Sequence, residues 1–410
     1  MRSLSALFLM LAPLFAGGIS GGEYKSRRAE LRKSLDGVMI LFGADEPDDL
    51  HVSFFQEPNF LYLSGWREPG AVMMLSKNEE ILFLPERNLK QENFTGRKLG
   101  AADPDARGQT GFDRVLPRSA VEPEFVRLAA QSEKIYSIPA DPRATKLLAL
   151  APLHEERSAA VLLAPMRMMK SPAEIDLLSR AAEASVAAHL AAWKRIRPGL
   201  WEYQIAATMV DTYEELGCER SAYAPIVGSG PNSTILHYMA NRRRMDSGEV
   251  LLMDVGAECS DYASDVTRTV PVNGKFTARQ REIYNIVLGA QNAAIAAIKP
   301  GMKIRGDNSL YAIAYDYINT HGKDLHGEPL GKYFTHGLSH HVGLDVHDLS
   351  DTNAPLKAGM VITIEPGIYI PEESIGVRIE DTVLVTETGS RNLSGALPRD
   401  PDEIEKLVRK

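Results

Sequence analysis

The sequence predicts an α+β protein of two domains, the second built from two similar halves. Three observations carry this. At 410 residues the chain is long enough for two substantial cores. Up to about residue 160, short apolar runs alternate with polar connections, whereas beyond it long Ala-rich helices alternate with β-rich stretches. One pattern also recurs: Ile196-Arg197-Pro198-Gly199-Leu200 is echoed by Ile298-Lys299-Pro300-Gly301-Met302. Each copy follows an Ala-rich helix and precedes another helix and then strands. Two copies imply an internal pseudo-two-fold rather than a repeat array. Hydrophobic residues make up 44% and charged residues 24%, and the net charge of −8 gives no support to nucleic-acid binding.

Arg2 precedes an apolar run from Leu4 to Phe15, and small residues follow from Ala16 to Gly22. A positive start, an apolar middle and a small-residue exit are the layout of a secretory signal peptide; a buried N-terminal helix is the alternative. The run is shorter than the about 20 residues that span a membrane. Residues 1–22 are therefore expected to be removed on export, with a mature chain that begins near Ile19 to Glu23. That chain would be periplasmic or secreted, with no stable membrane insertion. Arg27-Arg28 follows the apolar run, so it is not a twin-arginine signal. Cys218 and Cys259, the two cysteines, do not make a disulfide framework. Export permits them to pair, but two buried free thiols are expected at least as much.

Residues 23–163 form the first domain. Val38-Met39-Ile40-Leu41-Phe42-Gly43, Ala71-Val72-Met73-Met74-Leu75 and Ile81-Leu82-Phe83-Leu84-Pro85 are continuous enough to be buried strands. No dense His, Asp and Glu cluster occurs there, so this half is an α/β accessory domain. Residues 164–410 form the second. Ser171-Pro172-Ala173-Glu174 opens a helix with Ser as N-cap, Pro at the first position and Glu at the third. That helix runs to about Arg197, Pro198-Gly199 ends it, and a second runs from Trp201 to Leu216, stopped by Gly217. Thr277-Ala278-Arg279-Gln280 repeats the capping pattern in the second copy.

Chemistry concentrates in the β-rich parts. Asp254 and Asp265 lie in strand-like runs on either side of a polar turn. Folded symmetrically about Cys259 and Ser260, the hairpin pairs position 254 with 265. Two carboxylates so placed need a shared proton or a cation. His340, Glu365 and Glu380 come from the second copy, and Glu365 and Glu380 sit in otherwise apolar strands. Together these five can form an oxygen-rich site for two divalent ions at the junction of the halves. One imidazole among carboxylates favours Mn, Fe, Co or Zn. Six of the ten histidines fall between residues 321 and 347, and His237 follows a Gly/Pro/Asn-rich loop.

In order along the chain come Leu236-His237-Tyr238, Met253-Asp254-Val255-Gly256, Ser264-Asp265-Val266-Thr267-Arg268-Thr269, His336-Gly337-Leu338-Ser339-His340, Gly343-Leu344-Asp345-Val346-His347-Asp348, Thr363-Ile364-Glu365-Pro366-Gly367 and Val377-Arg378-Ile379-Glu380-Asp381. With these motifs the chain resembles the pita-bread metallopeptidases, in particular the aminopeptidase P and Xaa-Pro dipeptidase branch. Asn59-Phe60-Leu61-Tyr62-Leu63-Ser64-Gly65 and Glu68-Pro69-Gly70 extend the resemblance to that family's N-terminal domain.

The resemblance implies a pita-bread catalytic domain behind a creatinase/aminopeptidase P-type N-terminal domain. It implies Asp254, Asp265, His340, Glu365 and Glu380 as ligands of two metal ions, with Asp265 and Glu380 bridging and Mn expected first. Glu365 would also shuttle the proton of a metal-bridging hydroxide that attacks the Xaa-Pro bond. His237 and His347 would contact substrate or stabilise the intermediate, His336 and Arg378 would lie on the substrate side, and His341 has no role. The implied substrate is a peptide with proline second. Its scissile nitrogen carries no N–H for a general protease to read. An Xaa-Pro dipeptidase is the nearest alternative and a non-catalytic peptide-binding module a more distant one. Relatives of this kind are often homo-oligomers.

Overall fold

In a computed structural model, residues 18–49 and 51–408 are described. The apolar run read as a signal lies outside the described residues. Ser20 caps the helix Gly21–Ser34 by accepting from the Glu23 N–H, so the 22/23 boundary falls within the first turn of that helix. The helix is anchored, with Arg27, Arg28 and Leu31 buried. The Arg28 guanidinium donates to Glu80 and to the carbonyls of Leu63 and Gly111.

The first domain holds a six-stranded mixed sheet. Its strands are β1 (Val38–Phe42), β2 (Val72–Leu75), β3 (Glu80–Leu84), β4 (Arg114–Pro117), β5 (Lys134–Ser137) and β6 (Glu155–Ser158), in the order β4-β3-β2-β1-β5-β6. The three apolar runs read from the sequence are its central β1, β2 and β3. They are apolar throughout because both faces are covered. Val38, Ile40 and Phe42 pack with Phe125 and Leu147 on one side. Met39 and Leu41 face Leu31 and Phe60 on the other, in a cluster that continues into Leu177, Leu178 and Val361 of the second domain.

In the second domain the two helix starts carry the expected capping boxes, Ser171 with Glu174 and Thr277 with Gln280. Those helices, Pro172–Arg195 and Ala278–Ala296, pack against Glu202–Glu215 and Leu310–His321 respectively. No helix among the described residues is long and apolar enough to cross a membrane. The strands of the first half are β7 (Arg220–Ser221), β8 (Ile226–Ser229), β9 (Val250–Asp254), β10 (Ala257–Cys259), β11 (Tyr262–Ala263) and β12 (Thr267–Pro271). Those of the second are β13 (Val361–Ile364), β14 (Gly367–Ile370), β15 (Ile375–Arg378), β16 (Asp381–Val385) and β17 (Ser390–Asn392).

Each half is built around one interrupted hairpin. In the first, β9 pairs with β12 and, past a gap in the ladder, β10 pairs with β11. In the second, β13 pairs with β16 and β14 with β15. Asp254 and Asp265 flank the first gap, and Glu365 and Glu380 sit in the second. The register that pairs Ile364 with Asp381 and Gly367 with Arg378 sets Glu365 opposite Glu380.

Two expectations are corrected. Asp254 pairs with Thr267, not with position 265, because the turn is centred one residue further on, at Ser260 and Asp261. Both residues adopt positive φ, 54° and 69°, as a two-residue hairpin turn requires. The cysteines are not free thiols. Cys218, beyond the helix Glu202–Glu215, is bonded to Cys259 at the end of β10, with their Cα atoms 4.2 Å apart.

The halves are locked together where the hairpins meet. Arg268 of β12 donates to Asp381 of β16 at 2.7 Å, and both side chains are fully buried. Thr267 and Glu380 exchange backbone hydrogen bonds across the same seam.

Candidate metal centre

The structure brings all five predicted ligands to one cleft of about 280 Å³, which His237, His336, His347, Arg305 and Arg378 also line. Ligand atoms of Asp254, Asp265 and Glu380 lie within 4.8 Å of one another, and so do those of His340, Glu365 and Glu380. The two triads share Glu380. The interrupted ladders explain why these carboxylates converge. Where pairing lapses, a side chain can turn off the sheet face toward the seam.

The electrostatics are those of a site built around positive charge. Burial pushes Glu365 up to about 7, with Asp265 adding to the rise and His340 opposing it. Burial, and then the other carboxylates, raise Glu380 well above the ordinary range. Burial raises Asp254 too, against the pull of Arg378. For Asp265 burial is the largest single influence and raises it, but the hydrogen bond and charge of His340, with the Tyr223 hydroxyl and His347, together hold it below the usual value. His340 is pushed up to about 9: burial opposes its charge, but Asp265 and Glu365 face its Nε2 at 3.3 and 3.5 Å. Like charges so close cannot all ionise without a counter-charge.

Two observations test whether metal ions fit. Glu380 Oε2 accepts from the Thr267 hydroxyl at 2.6 Å, but its Oε1 is buried with no hydrogen-bond partner. A buried, unpartnered carboxylate oxygen on the residue that both triads share is a coordination position. On His340, Nδ1 is 3.1 Å from the His341 carbonyl. In the neutral ring the proton therefore belongs on Nδ1, which leaves the Nε2 lone pair toward the carboxylates, as metal-binding imidazoles require. The residues fit.

The other predicted residues divide by exposure. His237 and His347 are exposed at the mouth, the His347 ring 4.0 Å from that of His340. His336 lies deeper. Its Nδ1 meets the Gly337 carbonyl and its Nε2 meets the Tyr369 hydroxyl, both at 2.8 Å, and burial pushes it down to about 4. Arg378 is buried, with donors on Asp254 at 2.6 Å, Tyr369 at 2.8 Å and Thr267 at 3.3 Å. Its guanidinium is thereby committed to the protein. His341 is buried beneath the site, and His321 stacks on Tyr317 away from it.

Sequence reasoning missed two tyrosines. The Tyr223 hydroxyl lies 2.5 Å from Asp254 Oδ1 and 2.6 Å from Asp265 Oδ1, holding the two carboxylates in one place. Tyr369 connects His336 to Arg378. No local pattern marks either residue.

Comparison with known proteins agrees with this geometry. The model for metallopeptidase family M24 matches residues 176–387, and the model for the aminopeptidase P N-terminal domain matches residues 24–136. The chain belongs to metallopeptidase family M24. It is 35% identical to the Xaa-Pro aminopeptidase of Escherichia coli K12, over 95% of this chain and 98% of that one. It is 32% identical to human Xaa-Pro aminopeptidase 3, over 95% of this chain and 86% of the relative. Among solved structures it superimposes on E. coli aminopeptidase P with the inhibitor Pro-Leu at a TM-score of 0.85 and 32% identity, covering 95% and 98% of the two chains. A zinc-substituted form of that enzyme in complex with product superimposes at 0.84, with the same identity and coverage. The chain therefore comprises an M24 catalytic domain with its two hairpin halves and, before it, a smaller aminopeptidase P-type domain.

Proposed function

We propose that this M24 enzyme releases the N-terminal residue from peptides with proline second, using two divalent ions. The observation that carries the reading is the meeting of two ligand triads at Glu380, whose Oε1 has no protein partner. Asp254, Asp265 and Glu380 would hold one ion and His340, Glu365 and Glu380 the other, with Asp265 reaching both. An oxygen-rich set with one imidazole favours Mn, with Co, Zn or Fe as substitutes. Bound there, the ions supply a Lewis acid and a water acidic enough to attack at neutral pH.

The chain's own groups do the rest. Glu365 takes the proton from the attacking water and returns it to the proline nitrogen, which needs it to leave as an amine. The exposed imidazoles of His237 and His347 face the open side, where they can donate to the carbonyl oxygen as charge develops on it. Arg378 and Tyr223 orient Asp254, and Tyr369 fixes the His336 ring.

Aminopeptidase is favoured over dipeptidase because the chain matches Xaa-Pro aminopeptidases over 95% of its length, and because Arg378, beside the metal ligands, is bound to Asp254 and Tyr369 rather than open to a proline carboxylate. The test compares kcat/KM on Ala-Pro, Ala-Pro-Ala and a longer Ala-Pro peptide after Mn loading. Release of alanine from the longer peptides supports the reading, and a preference for Ala-Pro with the others untouched refutes it. Glu365→Gln should fold yet lose about 10²–10⁴ in rate.

We also propose that the protein is exported. The Arg2-to-Gly22 layout supports this, and so does the Cys218–Cys259 bond, since structural disulfides belong to oxidising compartments. Ser20 caps the first helix, which favours processing ahead of it. N-terminal sequencing of the native protein checks this, and an intact Met1 rejects it. A glycan on the Asn232-Ser233-Thr234 sequon is disfavoured, because Asn232 Nδ2 is engaged by Glu202.

A further inference from the structure

One cation in the cleft has no work in the site described so far. Arg305 lines the cleft beside His336, Gly337 and His237, is exposed, and makes no hydrogen bond or ion pair with any described residue. Its position is nevertheless built. The neighbouring Ile304 is buried, and the carbonyls of Lys303 and Ile304 accept from the N–H groups of Leu310 and Tyr311 at 3.0 and 3.1 Å. The guanidinium lies over Gly337, where a Cβ would come within 3.2 Å of Nη2. Arg378, the other guanidinium of the cleft, is committed to the protein, so among the described residues Arg305 is the cleft guanidinium left to meet an anion brought by substrate.

We propose that Arg305 is a specificity-determining residue that receives the C-terminal carboxylate of short peptides. This rests on the aminopeptidase reading above. An exopeptidase that binds the first residue over its metal centre leaves the far end of the peptide at the cleft mouth. In a tripeptide or tetrapeptide that end is a carboxylate, and a guanidinium pairs with it through two parallel N–H donors. The enzyme would thus favour small peptides over the proline-second termini of proteins, whose carboxylates lie far away.

The test uses the metal-loaded full-length enzyme and three substrates: Ala-Pro-Ala, its C-terminal amide, and Ala-Pro-Asp amide, which carries its carboxylate on a side chain. Wild type should cleave the acid about three- to ten-fold more efficiently than the amide, mainly through KM, as one partly exposed charge-assisted pair allows. Arg305→Gln should remove that difference while leaving the amide rate unchanged, and Arg305→Lys should restore part of it. An equal loss on acid and amide, no acid preference in wild type, or an Arg305 dependence confined to the aspartyl amide would each overturn the proposal. Failure of wild type to cleave any of the three would instead reject the aminopeptidase reading.

Discussion

Arg378 donates from Nη2 to Asp254 Oδ2 at 2.6 Å, tying the end of β15 in one half of the catalytic domain to the end of β9 in the other. Both side chains are buried, and Arg378 is the main compensation for the water that Asp254 has lost. Arg378→Gln leaves Asp254 without its cation. Removing one partner of a buried pair costs about 3–5 kcal/mol. Loss of a group that orients a metal ligand costs about 10–100-fold in affinity or activity. Thermal melts of the metal-free variant and its metal content should both fall. Full occupancy at wild-type stability would show that Asp254 needs no such support.

Metal uptake should release protons. In the metal-free protein His340 is pushed up to about 9 and Glu365 up to about 7, so at pH 7 the imidazole is protonated and the carboxyl about half so. Ligands bind deprotonated, so apparent metal affinity should rise with pH and level off above about 9. Calorimetry in buffers of different ionisation enthalpy measures the release. Heats that do not depend on the buffer would contradict it.

The acid limit of stability should involve His189. Burial pushes this histidine down to about 3, and its Nε2 meets the Val266 carbonyl at 3.1 Å behind Asp265. Its folded pKa lies below its unfolded value, so between about 3 and 6.5 the unfolded chain binds the extra proton and stability rises with pH. The neutral ring's contribution is complete above about 6.5 and is lost as pH falls, at up to about 1.4 kcal/mol per unit. His189→Gln should flatten this part of the stability–pH curve in chemical denaturation. An unchanged slope would remove His189 from the account.

Reduction of Cys218–Cys259 should weaken the fold more than the metal site. The bond closes a loop of 41 residues in sequence separation, for which about 2–5 kcal/mol is typical. It clamps the outer part of the hairpin, beyond the gap that carries Asp254 and Asp265. Melting temperature should drop with a thiol reductant, while metal content at room temperature stays near full. Loss of metal at an unchanged melting temperature would reverse the assignment.

Much of this could be read in advance, because the relevant signals are local. Ser171 with Glu174 and Thr277 with Gln280 mark helix starts within four residues, and a charged residue in an apolar strand such as Ile362-Thr363-Ile364-Glu365 is conspicuous. What escaped depends on long-range geometry. Tyr223 meets Asp254 across 31 positions and Arg268 meets Asp381 across 113. The hairpin register turned on whether Cys259 or Asp261 took a left-handed conformation, a difference of one residue that composition does not decide. The pairing of Cys218 with Cys259 likewise depends on how β10 lies beside the end of the helix Glu202–Glu215.

The ligands are spread from position 254 to position 380 of a chain of 410, with two from each hairpin and His340 between them. The first domain's sheet is complete by residue 158 and can form from the chain already made. The seam cannot. A product cut short anywhere before Glu380 completes neither triad and lacks the residue that joins them. Tight loading with two ions thus reports that the polypeptide has been made at least as far as Glu380, and a metal-dependent rise in protease resistance separates such chains from shorter fragments.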